Sequence, residues 1–209
     1  GEDTHDTSYT IKLLRQRAFA EAKAGLFPAA DNDIGLDYAL SQFTKDTTAI
    51  AGSLDIKAQI DATTGHTDRA LKEFDQAIRF QSAAAANSGN KSAVSGSSIL
   101  GYIYLDQGNL LMEKMERLAE AEKSYLKAYD LAVQARDPVG AASACIDLNV
   151  LHHNRKDYRM AILDCHRALQ QLHITPEKDI LRNTPFSTLA ALQNKQLPVI
   201  AFGNKTDDL

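Results

Sequence analysis

A small residue followed four positions later by a bulkier one recurs along this chain, each time just past a turn, and that repetition leaves few folds open. Gly25-Leu26-Phe27-Pro28-Ala29-Ala30 leads into Ile34, and Gly65-His66-Thr67-Asp68-Arg69-Ala70 leads into Phe74, Ala77 and Ile78. A third copy closes on Ala121 with Tyr125, Ala128 and Tyr129, and a fourth, Lys156-Asp157-Tyr158-Arg159-Met160-Ala161, runs on to Cys165, Ala168 and Leu169. Upstream of each turn lies a second small or short residue: Ala18, Ala58, Gly101 and Asn149. Antiparallel helices approach closely only where small side chains face each other, so the pattern predicts four stacked helix hairpins. Composition agrees, because Trp is absent, Gly and Pro number only 11 and 5, and Ala, Leu, Glu, Lys and Gln dominate most stretches.

The third copy breaks the rhythm. Gly108 sits where a turn is expected, yet Ala121 lies about two helical turns too late, so Leu110 to Arg136 reads as one long helix. Its start, Leu110-Leu111-Met112-Glu113-Lys114-Met115, would overhang the stack; it either continues the core or forms a docking or dimer surface through Leu111 and Met115. Thr175-Pro176 and Thr184-Pro185 open two short helices that would cap the array. The divisions expected are a disordered segment 1–10, a repeat domain 11–175, capping helices 176–196 and a tail 197–209 whose apolar Val199 and Phe202 offer a second dimer contact.

On these residues the chain resembles the tetratricopeptide repeat family, over about Ile11 to His173. The spacing from Ala30 to Ala70, and from Ala121 to Ala161, is 40 residues rather than the family's usual length of about 34. That longer period is similar to the extended repeats of kinesin light chains, polarity adaptors and bacterial Rap-type regulators. The resemblance implies an all-α, right-handed α-α superhelix of four helix pairs. It also implies a concave groove lined by the first helix of each pair, here through Lys12, Arg15, Phe19, Asp55, Gln59, Ser98, Tyr102, Ile146, Val150, His153 and Asn154. Lys12 and Arg15 would attract acid, and Phe19 and Tyr102 would supply contact area. The carboxylate clamp of chaperone-binding members is not matched, since its Lys and Asn positions read Arg15 and Phe19. The function implied is a scaffold or adaptor for a peptide or protein. The alternative is a ligand-sensing or regulatory module of a larger sensor or transcription regulator.

Other classes have less support in the residues. A formal net charge of −4 with mixed signs provides no field for nucleic acid, and no apolar run reaches the roughly 20 residues that span a bilayer. A chain that starts at Gly1 rather than Met is compatible with a removed signal peptide, so the expected compartment is cytoplasmic, periplasmic or secreted. No phosphate-cradling loop or nucleophile-base motif appears, and the chain reads as a non-enzyme without a cofactor. Cys145, His152, His153, Cys165 and His166 cluster in the fourth copy, a conceivable hydrolase or metal site. Their spacing fits no ligand motif, and buried thiols with partly exposed histidines are the plainer reading.

Overall fold

The computed structural model describes residues 2–87 and 90–172. Among them the chain forms eight α-helices and no strand: α1 Glu2–Lys23, α2 Phe27–Thr44, α3 Thr47–Thr63, α4 Thr67–Asn87, α5 Asn90–Glu113, α6 Leu118–Ala135, α7 Pro138–Asn154 and α8 Tyr158–Gln171. They pair as hairpins α1/α2, α3/α4, α5/α6 and α7/α8.

The four alanines that define the repeat are equivalent in space as well as in spacing. Each is buried near the start of its hairpin's second helix. Each donates its amide to the carbonyl four residues back: Ala30 to Leu26, Ala70 to His66, Ala121 to Arg117 and Ala161 to Asp157, at 3.0–3.1 Å. Five residues before each alanine the backbone turns left-handed, at Gly25 (φ 77°), Gly65 (φ 86°), Glu116 (φ 53°) and Lys156 (φ 60°). A left-handed residue ends a helix by letting the next amide return to the last turn. Leu26, His66 and Asp157 thus donate to Glu21, Asp61 and His152, five residues back, whereas Arg117 reaches six back to Leu111.

That extra residue resolves the third copy. Its turn is at Lys114–Arg117, not at Gly108, and no helix runs from Leu110 to Arg136. Gly108 lies inside α5 against the ring of Tyr125. It therefore occupies the small position held by Ala18, Ala58 and Asn149, a position the sequence pattern had given to Gly101. The residues that lengthen this copy lie in α4 and α5, of 21 and 24 residues. Leu110 and Leu111 are core, and Met115 packs between two core clusters, so the expected overhang with its Leu111/Met115 dimer surface is instead interior. The N-terminal segment, expected to lack structure to residue 10, is helical from Glu2. Once Ile11 is buried in the stack, each further residue of α1 adds a hydrogen bond at little nucleation cost. The expected capping helices 176–196 and tail 197–209 lie outside the described residues.

Polar contacts fix the register within the hairpins. Arg17 pairs with Asp33 and Arg69 with Asp61; Lys57 Nζ reaches Glu73 at 2.9 Å, Ser124 donates to Gln107 at 3.0 Å, and His152 Nδ1 lies 2.7 Å from Asp164. Three of the next helices start on an aspartate cap: Asp46 accepts from the Thr48 and Ala49 amides, Asp137 from Gly140 and Asp157 from Met160.

Successive hairpins are not stacked symmetrically. The odd-numbered helices touch in series, α1 to α3, α3 to α5 and α5 to α7, while no comparable contact joins the even-numbered ones. A stack whose odd helices lie closer together bends toward them, and their free side is the inner face.

Candidate functional site, the inner face of the odd helices

The inner face is read most easily from the contacts that cross it. From α3 to α5, Gln59 Nε2 donates to Asp106 Oδ2 at 3.0 Å and reaches Asp55 Oδ2 on its own helix at 3.4 Å. Beside them lies a cleft of about 300 Å³ whose lining includes Lys23, Gln59, Asp106, Leu110, Glu113 and Lys114. Burial and the neighbouring Asp147 raise the Asp106 carboxyl to about 6, with Lys23 opposing; burial and Glu113 raise Asp147 likewise to about 6. Asp55 is also held above its ordinary value, by burial and then by Asp106. Its Oδ1 is shut off from solvent and accepts no hydrogen bond. Four carboxyls on α3, α5 and α7 thus feel one another, with Lys23 and Lys114 lining the same cleft and Arg15 acting on Asp55.

Arg15 faces this side of α1, yet its guanidinium is already engaged. It donates to both oxygens of the fully buried Asp37 (3.0 and 3.2 Å), to the Ala49 carbonyl (2.7 Å) and to Ser53 Oγ (3.2 Å). The expectation that Arg15 attracts an acidic guest fails for that reason: the cation is a structural tie across α1, α2 and α3. Lys12 remains exposed, its ammonium 5.9 Å from the Tyr9 ring, and Phe19 is 41% exposed with Lys23 above it at 5.2 Å.

The remaining expected groove residues divide into two groups. Ile146 and Val150 on α7 are open to solvent (54% and 41%), one turn apart, and the exposed His153 and Asn154 follow them at the helix end. His153 meets the Tyr158 ring edge-on at 5.7 Å. Ser98 and Tyr102 on α5, by contrast, point at the α6–α7 turn. There Ser98 donates to Asp137 at 2.6 Å, and the Gly140 amide, then Ser98, with a smaller effect from Tyr102, hold the Asp137 carboxyl below the usual carboxylate range. They fix a helix cap and do not border the cleft. Asp106 and Asp147 were missed; the copy that contains Asp106 was read with its turn eight residues early.

The Cys/His group of the fourth copy is dispersed. Cys145 is fully buried, its thiol pushed up to about 11 by burial, while Cys165 is exposed and takes a hydrogen bond from Asn149 at 3.2 Å. His152 is buried between Asp164 and Glu122. No group of three or more His, Cys, Asp or Glu side chains among the described residues is arranged to hold a metal ion. No helix among them is long and apolar enough to cross a membrane.

No protein-family model matches the sequence, nor does any curated protein. Among solved structures the chain is similar to BtubC (BKLC) from P. vanneervenii, with a TM-score of 0.62 over 83% of this chain and 73% of that one, at 17% identity. At that identity the likeness concerns the fold alone.

Proposed function

We propose that this chain is a tetratricopeptide-like scaffold that holds a peptide or protein partner along the inner face of its odd helices. The observation that carries the reading is the pair Ile146 and Val150, apolar and exposed on one face of an odd-numbered helix, as is Phe19 on α1. Isolated exposed apolar residues are ordinary, but here two lie one helical turn apart beside polar groups, as an extended or helical guest requires. The repeated hairpin supplies length, and the bend supplies a continuous wall.

A random 12-residue display library panned on the purified chain tests the reading. Selected peptides should lose binding to Ile146→Asp/Val150→Asp and keep it for Leu36→Asp, a control at an exposed residue of α2. Peptides that bind all three proteins equally would place recognition elsewhere and sink the proposal.

A further inference from the structure

The two ends of the stack are open at positions that the interior of the stack buries. Measured from the small residue of each hairpin's first helix, Leu13 is the counterpart of Ser53, Ile103 and Ala144. Those three are at most 1% exposed, whereas Leu13 is 64% exposed and Tyr9, one turn before it, is 65% exposed. Measured from the repeat alanines, Cys165 is the counterpart of Ile34, Phe74 and Tyr125, again at most 1% exposed, yet Cys165 lies open. Leu172, 40% exposed, holds the place of the buried Ser41, Gln81 and Ala132. Inside the molecule these two sets of positions meet. Ile103 shares a core cluster with Phe74 and Ala77 of the preceding hairpin, and Ala144 shares one with Tyr125 and Ala128. The α8 end thus offers half of a junction and the α1 end offers the other half. Their sizes match as well: an alanine faces Tyr125 in the interior, and a leucine set against Cys165 fills a similar combined volume.

We infer that the ends are covered by further copies of this chain stacked head to tail, with Leu13 of one copy set on Cys165 and Ala168 of another. The contact continues the junction that already joins the hairpins, and it is independent of the groove proposed above. It is heterologous, so each step leaves one end open and the superhelix grows by whole copies instead of closing as a pair. Like ends fit less well, because two α1 faces would oppose Tyr9 and Leu13 to each other without the small residues at which helices approach closely. Terminal repeats that stay single carry a polar outer face, and α1 presents Tyr9 and Leu13 instead. Residues 173–209 are the competing cover for the α8 end, and they leave those two α1 side chains unaccounted for.

Sedimentation velocity of the full chain tests the inference. The weight-average mass should rise at least about 2-fold between about 5 and about 500 μM, and Leu13→Asp and Leu172→Asp should each hold it at the monomer. Both side chains are exposed in the single chain, so neither substitution enters the core, and a thermal melt beside wild type checks that each variant is folded. Leu36→Asp, at an exposed residue of α2 outside the junction, should associate as wild type does. An equimolar mixture of Leu13→Asp and Leu172→Asp should sediment as a dimer and nothing larger, because it restores one intact junction and no second. A wild-type chain that stays monomeric throughout the range would overturn the inference, leaving residues 173–209 as the cover of the α8 end. Association that survives in either single variant, or a mixture that stays monomeric, would overturn the head-to-tail pairing.

Discussion

Gly108 lies so close to Tyr125 that a methyl group in place of its hydrogen would meet the ring, with Cδ1 2.7 Å away. Tyr125 is fully buried and its hydroxyl donates to Asn109 at 2.8 Å, so the ring has nowhere to withdraw. In the other hairpins Ala18 and Ala58 share core clusters with the smaller Ile34 and Phe74. Gly108→Ala gains about 1 kcal/mol of helix propensity but forces overpacking that costs about 1–3 kcal/mol or more. The expected result is a net loss, read as a lower urea midpoint. A midpoint at or above wild type would show that the α5–α6 contact is looser than described.

Arg15 is expected to matter for folding rather than for binding. Removing it strands Asp37 at zero exposure, and breaking a buried pair from one side costs about 3–5 kcal/mol. Arg15→Met should therefore melt far below wild type, and Arg15→Met/Asp37→Leu should recover most of the loss. If the single variant is as stable as wild type, the tie contributes nothing.

The inner acids give a pH signature with a definite sign. Asp106 rises from 3.8 to about 6 in the folded chain, so the folded state binds this proton more tightly than the unfolded state across that window. Stability is lost as pH rises through the window, and the full penalty applies above it. Asp106→Asn should therefore match wild type near pH ~3.5 and exceed it by about 1–2 kcal/mol at pH ~7, allowing for partial solvent screening. Denaturant curves at the two pH values check this, and a gain of the same size at both would refute it.

Two hairpin turns carry side chains where the backbone favours glycine. Glu116 (φ 53°) and Lys156 (φ 60°) do the work of Gly25 and Gly65. Glu116→Gly and Lys156→Gly should each leave stability unchanged or raise it by up to about 1 kcal/mol, measured by chemical denaturation. A clear loss from either would mean the side chain contributes more than the left-handed backbone costs.

The two thiols should separate by reactivity. An aromatic disulfide reagent should titrate Cys165 promptly in the native chain and Cys145 only in denaturant, because burial both shields the latter and suppresses its thiolate. Prompt reaction of both would contradict the packing around Cys145.

The hairpins were legible because Ala30, Ala70, Ala121 and Ala161 obey a size rule that holds along the sequence itself. The third turn was not, for two physical reasons. A glycine inside a helix, making room for Tyr125, looks the same in sequence as a glycine that ends one, and Glu116 adopts a conformation that its residue type does not advertise. Of the residues that the family resemblance placed along a groove, Phe19, Ile146 and Val150 lie open to solvent. The charge of the inner face was not legible, because the pairing that removes Arg15 joins residues 22 positions apart and depends on how α1 leans on α2. Likewise Asp106 and Asp147 become neighbours only when the third hairpin is in register.

Among the described residues, each helix makes its substantial contacts with helices one or two steps away along the chain. Folding such an array never requires distant ends to find each other, so the entropy of closing long loops hardly enters and nucleation can begin at any hairpin and spread. By the same reasoning a whole 40-residue unit, such as that from Ala30 to Ala70, can be gained or lost without rethreading the rest. Evolution can thus lengthen the molecule's reach by duplication alone.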